Sequence, residues 1–478
     1  MSGEQGNELP PGWAAATLAD VGKARMGKTI LAKELIDSGL PVYSAGRENK
    51  PWGYVDASDL YFGSTVAVIS ARGSIGFPKL PRVAPFVCTQ TTIAVDFRHR
   101  PVAEFYTNWL GTVDWERLIS GGSIPMLTVG LLNGQTVPVP PLNEQRRIVA
   151  KIEGLQARSD AAKEALDAIP PLLEKFRQSV LAAAFRGDLT KKWREANPDV
   201  EPAAVLLERI RDERRRKWQK AHPNKKYVEP KPVDTDGLPE LPEGWCWASV
   251  EELASLVTKG ASPGWQGFGY KSEGIMFIRS QNVGWGELRL DDVAHVPVSL
   301  NAHQPRSVIA EADVLVNIVG ASIGRVALAD DRLVGANTNQ AVAIIRLVAD
   351  GLLPAALKYW MLSPETQRRV HLGKVDVARA NYSLTDIATL PVPLPPRAEQ
   401  RAAVDQIESL TAQYDAVKVL TNAAAEAISV LNHSILAKAF RGELVPQDPN
   451  DEPASVLLDR IRQERENGGS KPARKRNG

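Results

Sequence analysis

Two stretches of the chain carry apolar or small side chains at alternating steps of four and three. The first runs through Ile148, Ile152, Leu155, Ser159, Ala162, Leu166, Ile169, Leu173, Phe176, Val180 and Ala183. The second runs through Ala403, Ile407, Leu410, Tyr414, Val417, Thr421, Ala424, Ile428, Leu431 and Ile435. A spacing of about 3.5 residues marks the seam of a left-handed coiled coil. Each stretch covers about 43 residues, so each helix would reach roughly 65 Å at about 1.5 Å per residue. Gly187 and Gly442 are placed as helix stops. Pro170-Pro171 predicts that the first helix is two pieces meeting near Ile169, because an interior proline removes a backbone hydrogen bond. The pattern changes upstream of each helix. Residues 41–97 and 275–345 hold short β-rich runs such as "STVAVIS", "TTIAVDF", "ADVLVNIVG" and "AVAIIRL", broken by glycines and polar turns. Each region ends in "TVPVPP" or "TLPVPLPP", which reads as a stiff extended connector.

The two stretches belong to a longer duplication. "AFRGDL" at 184–189 returns as "AFRGEL" at 439–444. Leu9 to Trp13 returns as Leu241 to Trp245, Ser74-Ile75-Gly76 as Ser322-Ile323-Gly324, and Glu144-Gln145-Arg146 as Glu399-Gln400-Arg401. "VLLERIRDER" returns as "VLLDRIRQER". The order is kept while the offset drifts, but it stays at 255 from Glu144 through Gly187. A segment that tolerates no insertion has a length that matters. Two copies imply a pseudo-two-fold object, not a solenoid, which needs three or more stacked units. The two helices would then pack antiparallel.

Composition adds exclusions. The chain has 478 residues, 24% of them charged, with a net charge of +2, so two to four ordinary domains are expected and charge alone announces no partner. No apolar run approaches the ~18 residues that a membrane helix needs. The start, "MSGEQGNELPPGW", lacks a basic-then-apolar signal pattern. Cys88 and Cys246 form neither a disulfide framework nor a zinc site, which fits a reducing cytoplasm. Residues 209–226 hold nine Lys or Arg against two acids, either a solvated helix face or a phosphate contact.

Gly22 to Thr29, "GKARMGKT", matches the phosphate-loop spacing G-x-x-x-x-G-K-T, with "ILAKELI" as the helix that should follow. The strand that should precede it, "WAAATLADV", is short and rich in alanine. The other half carries Thr258 to Pro263, "TKGASP", at the equivalent place, so a glycine turn belongs to both halves and the nucleotide spacing to one. A P-loop ATPase and a coiled-coil scaffold without sequence preference are the alternatives. No nucleophile elbow, nuclease acid pair or methyltransferase loop occurs. A duplicated chain without a catalytic constellation points to binding.

The openings "LPPGW" and "LPEGWCWASVEEL" resemble, together with other paired motifs, the specificity subunits of type I DNA restriction–modification systems. Those motifs are "ISARGSIG" and "IVGASIG", "VPVPPLNEQRRIV" and "VPLPPRAEQRAAV", and "VLAAAFRGDL" and "ILAKAFRGEL". They cover about residues 9–445. The resemblance implies an α+β chain: two mixed α/β target-recognition domains joined by two long antiparallel coiled-coil helices, with a pseudo-two-fold internal duplication. Its parts would be recognition domain 1 (1–141), spacer helix 1 (142–187), a linker with a short basic helix (188–240), recognition domain 2 (241–396), spacer helix 2 (397–442) and a short helix with a basic tail (443–478). The implied partners are double-stranded DNA, two methyltransferase subunits and nuclease–translocase subunits, with no membrane. The chain itself would be non-catalytic and bind no cofactor or metal. S-adenosylmethionine would sit on the methyltransferase, and ATP and Mg on the nuclease–translocase.

The scaffold repeats, yet "PVYSAGRENKPWGYVD" has no clear twin and "IMFIRSQNVGWGELRL" stands in the second half instead. Identical partners explain the repeated parts, and different base sequences explain the divergent ones. The target should be bipartite and asymmetric. Residue types suited to phosphates and base edges are Arg47, Asn49, Lys50, Arg72, Ser74 and Gln90 in the first domain. In the second they are Arg279, Gln281, Asn282, Ser322, Arg325 and Asn339.

Overall fold

The computed structural model describes residues 9–119, 125–372 and 382–467. They fold as two compact units, one made of the described residues within 1–167 and 421–478 and one of those within 168–420. Each unit therefore joins one globular domain to helical segments from both halves of the sequence.

The strands of the first domain are β1 (Ala14–Thr17), β2 (Lys23–Met26), β3 (Leu40–Tyr43), β4 (Gly53–Val55), β5 (Val66–Ser70), β6 (Pro78–Lys79), β7 (Val87–Cys88), β8 (Thr92–Asp96) and β9 (Thr136–Val139). The second domain has β10 (Cys246–Ser249), β11 (Ala254–Lys259), β12 (Ile275–Ile278), β13 (Ala294–Val296), β14 (Val314–Asn317), β15 (Val326–Leu328), β16 (Asn337–Thr338), β17 (Val342–Leu347) and β18 (Pro391–Leu394). The helices that matter below are α1 (Arg100–Leu110), α2 (Leu142–Asp167), α3 (Ile169–Phe185), α4 (Ala203–Ala221), α5 (Pro354–Leu362), α6 (Arg397–Phe440) and α7 (Ala454–Asn467). No helix among the described residues is long and apolar enough to cross a membrane.

The two domains share one topology. A four-stranded sheet β2-β8-β5-β6 is matched by β11-β17-β14-β15, and a three-stranded sheet β4-β3-β7 by β13-β12-β16. In each three-stranded sheet one pair is antiparallel (β3–β4, β12–β13) and the other parallel (β3–β7, β12–β16). The segments without an evident sequence twin are therefore structural twins: "LPVY" forms β3 where "IMFI" forms β12. "AAAT" does form a strand, because β9 pairs with it, and β18 pairs likewise with β10. The proline connectors are extended as expected and are also paired.

The first long helix breaks where the prolines require. α2 and α3, of 26 and 17 residues, are separated by Ala168 alone, with Pro at the start of α3. α6 runs unbroken for 44 residues, the same span. In the first unit the start of α2 (Ile148, Ile152) shares a core with the end of α6 (Ile435, Ala439). In the second unit the start of α6 (Val404, Ile407) shares a core with the end of α3 (Leu181, Ala184). Start against end is the antiparallel pairing expected. The seam is not buried throughout. Ala162 is exposed, and Phe176, Val417 and Leu431 are 42%, 41% and 52% exposed. Burial is concentrated near the ends, where the core of a domain joins the pair.

Each unit closes on a matching joint. Trp13 Nε1 donates to Glu144 Oε2 at 3.0 Å, and Trp245 Nε1 to Glu399 Oε2 at 2.8 Å. Gln145 and Gln400 donate to the carbonyls of Pro140 and Pro395 at 2.9 and 3.0 Å. The Ala454 amide donates to the Gly12 carbonyl at 2.9 Å, and Ala203 to Gly244 at 2.8 Å. Gly187 and Gly442 stop the helices with φ of +76° and +74°. α4 thus completes the second domain and α7 the first.

The joints differ in one respect. Glu399 Oε1 accepts from Thr190 Oγ1 at 2.6 Å and pairs with Arg194. The positions 255 residues later hold Val445 and Pro449, and Glu144 Oε1 is buried without a partner. Burial pushes the Glu144 carboxyl above its ordinary range, against the opposing Trp13 hydrogen bond. The folded state therefore favours the proton at Glu144. Its contribution is least unfavourable at acid pH and costs stability as pH rises through the carboxylate range. Glu399→Gln leaves Arg194 without its anion and is expected to cost about 3 kcal/mol at pH 7. Glu144→Gln removes an unpaired buried charge and is expected to cost nothing at pH 7. Urea unfolding of both variants checks this; equal losses would contradict the assignment.

Candidate nucleic-acid interface

The sheet pairings bring four turns of each domain to one end. β2 and β5 both run antiparallel to β8, so their C-terminal ends meet its start. β3 runs parallel to β7, which leads into β8 through Thr89 to Thr91. The turns that begin at Gly27, Ser44, Ala71 and Thr89 therefore emerge together. Hydroxyls tie them: Thr89 Oγ1 donates to Ser44 Oγ at 3.1 Å and lies 2.7 Å from Thr91 Oγ1. The Gly46 amide donates to Ser70 Oγ at 3.4 Å. Lys79, 3% exposed, donates to the Ser44 carbonyl at 2.5 Å, and burial lowers its pKa. The second domain repeats the plan after β11, β12, β14 and β16. There the Asn317 amide donates to the Ser280 carbonyl at 2.7 Å and Thr338 Oγ1 to the Ile278 carbonyl at 2.9 Å.

All twelve sequence-nominated residues lie on turns at these two ends. In the first domain Arg47, Asn49 and Lys50 are exposed after β3, Arg72 and Ser74 follow β5, and Gln90 follows β7. Arg47 and Ser74 line one recess of about 500 Å³. Asn49 Nδ2 donates to the Leu80 carbonyl at 3.2 Å, Lys50 pairs with Glu48, and Arg72 Nε points at Met126 Sδ at 3.1 Å. Gln90 Oε1 is buried without a partner.

In the second domain Arg279, Gln281 and Asn282 follow β12, Ser322 and Arg325 follow β14, and Asn339 follows β16. Gln281 Nε2 donates to Asp292 Oδ2 at 2.7 Å, and Arg279 Nη2 approaches the same carboxylate at 3.5 Å. Ser322 Oγ donates to the Val319 carbonyl at 3.4 Å, and Asn339 Oδ1 accepts from the Ala341 amide at 3.0 Å. Asn282 is corrected by the structure. It is 1% exposed, and its Nδ2 donates to the carbonyls of Arg289 and Asp292, both at 2.9 Å. Its Oδ1 accepts from the Arg279 amide at 3.0 Å. The side chain shapes the turn and has no free edge for a base.

Gln340 escaped the sequence reading. Val42 faces Val87 and Phe277 faces Asn337 in the parallel pairs, which makes Gln340 the counterpart of Gln90. Gln340 is exposed at the same end of its domain as the other turns. The signal was available as Thr89-Gln90 and Asn339-Gln340, 250 residues apart, each leading into a twin strand.

Two other motifs change meaning. The four variable residues of "GKARMGKT" are β2 itself, and "ILAKELI" forms only a 3-10 turn at Ala32–Glu34. A phosphate loop needs the strand before the glycines and a helix after them, so the ATPase alternative fails. The basic run lies largely on α4, where its arginines are engaged within the unit. Arg211 pairs with Glu252 and Glu208, Arg214 with Glu251, Arg215 with Glu229 and Asp212, and Arg216 with Glu213. They fasten α4 to its own domain and its own surface acids.

Two copies of one fold, each presenting a divergent loop cluster on a repeated helical frame, define a duplicated sequence-reading subunit. Residues 10–170 match the family model for the type I restriction modification DNA specificity domain. The chain is 31% identical over 373 residues to the type I restriction enzyme EcoBI specificity subunit of Escherichia coli, covering 75% of this chain and 70% of that one. It is 26% identical to the EcoKI specificity subunit of Escherichia coli strain K12, over 98% and 99% of the two chains. A chain from a structure of complex assembly and conformational transition in the type I R-M system is 22% identical. It superposes with a TM-score of 0.65 over 91% of this chain and all of that one. The HsdS subunit from Thermoanaerobacter tengcongensis, 20% identical, gives 0.55 over 92% of this chain and all of that one. The chain belongs to the family of type I restriction enzyme specificity subunits.

Proposed function

We propose that this chain gives a type I restriction–modification complex its DNA sequence specificity. Each recognition domain reads one half of an asymmetric bipartite duplex target, and the paired helices set the gap. The observation that carries this reading is a contrast. The joints Trp13–Glu144 and Trp245–Glu399 repeat, whereas the turns after β3 and β12 share a place and no sequence. Repeated surfaces suit two copies of one methyltransferase, and divergent turns suit two different half-sites. Arginine, lysine and amide side chains at these ends supply phosphate contacts and base-edge hydrogen bonds. The reacting chemistry belongs to the partners: adenine N6 methylation with S-adenosylmethionine on the methyltransferase subunits, and ATP-driven cleavage with Mg on the nuclease–translocase subunits.

The purified chain alone is expected to transfer no methyl group. Mixed with its methyltransferase subunit it should form a complex of one specificity chain and two partners, and methylate adenine in both half-sites. Incubation with labelled S-adenosylmethionine, followed by methylome sequencing, tests this. Methylation by the chain alone, or modification without a bipartite motif, would refute it.

A further inference from the structure

Two segments, 28–38 and 261–273, are clamped at both ends by the same device and share no sequence between the clamps. Gly27 and Gly260 open them. A Cβ on Gly27 would fall on the Thr89 carbonyl oxygen, and one on Gly260 on the Thr338 carbonyl oxygen. Gly39 and Gly274 close them with φ of +141° and +143°, and a Cβ there would meet the carbonyl oxygens of Val55 and Val296. Only glycine fits such a conformation and approach. Between these fixed ends "KTILAKELIDS" stands against "ASPGWQGFGYKSE".

Both segments leave the reading end. Gly260 abuts Thr338, next to Asn339 and Gln340. Gly27 abuts Thr89, and the Gln90 amide donates to the Lys28 carbonyl at 2.8 Å. Each segment is also pinned from below. In the second domain Gln304 holds the Ala261 amide at 3.1 Å and Gln266 Oε1 at 3.0 Å. Phe268 stacks edgewise on His303 with ring centroids 5.0 Å apart, and Tyr270 on Phe277 at 6.1 Å. These anchors leave Trp265 at the crest, 86% exposed. In the first domain Lys28 pairs with Asp59 and the Ile36 amide donates to the Tyr54 carbonyl at 2.9 Å. The crest there is Leu31, 48% exposed. Trp265 and Leu31 are thus large apolar side chains held out on anchored segments that leave the same end of each domain.

We propose that Trp265 and Leu31 are apolar wedges that enter the base stack of the half-site each domain reads, and that segments 261–273 and 28–38 determine specificity. This rests on the proposed reading of the two domains. A side chain driven between base pairs partly unstacks them and kinks the duplex. The cost is lowest at flexible pyrimidine–purine steps, so a wedge selects sequence without a hydrogen bond. Exposed Lys33 and Lys271, on the same segments, suit the flanking phosphates.

The test uses the full chain assembled with its methyltransferase subunit, comparing wild type with Trp265→Ala, Trp265→Phe and Arg279→Ala. Trp265 is exposed, so its replacement should leave the thermal midpoint unchanged. Trp265→Ala is expected to bind the target roughly 5- to 100-fold more weakly, as loss of one stacked base contact of about 1–3 kcal/mol implies. It should relax base preference in the second half-site alone, and Trp265→Phe should retain most of the affinity. Duplexes carrying 2-aminopurine at each non-target position of that half-site should brighten at one step with wild type and stay dark with Trp265→Ala. Wild-type affinity and half-site preference in Trp265→Ala, with Arg279→Ala impaired, would overturn the wedge and leave the reading of the domains standing. If Arg279→Ala were also silent, the reading end itself would be refuted. Loss of methyltransferase assembly by Trp265→Ala would make the crest a protein contact and equally overturn the wedge.

Discussion

A chain cut to residues 1–235 is expected to form a homodimer and to direct methylation to a palindrome built from the first half-site. The first domain does not finish its own core. Ile435, Ala439, Leu457, Leu458 and Ile461, all beyond the cut, are buried in the same cluster as Ile148 and Ile152. Removing the four larger side chains forgoes roughly 6–12 kcal/mol at about 1.5–3 kcal/mol each. That is comparable with the whole stability of a domain, about 5–15 kcal/mol, so the fragment cannot stand as a folded monomer. It does carry the twin pieces. Ala184, Leu206, Leu207 and Ile210 are core residues against the second domain, and Val180 stands 255 residues before Ile435. Phe185 stands where Phe440 meets Phe105 with ring centroids 5.3 Å apart. A second copy can therefore supply α3 and α4 where α6 and α7 belong, with Val180 for Ile435 as a small loss of about 1 kcal/mol. Sedimentation velocity reads the dimer, and methylome sequencing with the methyltransferase subunit reads the palindrome. A folded, soluble monomer would contradict the core assignment.

What was legible in the sequence follows from where periodicity survives. The long helices could be located because each face repeats every seven residues and their lengths match at an offset of 255, down to the break at Ala168. The depth of the seam could not be read, because burial at Phe176 or Leu431 depends on whether a third layer covers the pair. The shared topology of the two domains was hidden for another reason. Their strands are two to six residues long, and backbone pairing preserves them while "LPVY" and "IMFI" have little in common. Residues for the reading end were chosen by chemical type beside glycine turns. That gathered all twelve on turns at one end of each domain, since the turns after parallel and antiparallel partners converge at one sheet end. Type alone could not separate Asn282, whose amide is consumed by its own turn, from exposed Gln340. The phosphate-loop look-alike arose because spacing was preserved by a strand, β2, lying between two glycines kept for close packing.

Lengthening both helices at the border between the units is expected to widen the gap in the DNA target and leave the half-site bases unchanged. The border falls at Asp167–Ala168 in one half and Leu420–Thr421 in the other. Four helix-forming residues inserted after Asp167 and four after Leu420 leave each unit's core intact, because the residues named in both cores lie outside the insertions. Four residues make a stutter, which unwinds a coiled coil locally and lets the seam resume. They add about 6 Å of helix, close to two base pairs at about 3.4 Å each. They also turn one unit about 40° against the other, at ~100° per residue, whereas two base pairs turn the duplex by about 70°. The remainder is twist that the DNA or the joint at Pro170-Pro171 must absorb, so the gap should grow by one or two base pairs. Insertion after Asp167 alone leaves α6, which has no joint, too short for its partner. It should lower the methylation rate at every gap. Methylome sequencing of cells carrying each variant with the methyltransferase subunit reads both results. An unchanged gap in the doubly lengthened chain, or altered half-site bases, would mean that the paired helices do not set the spacing.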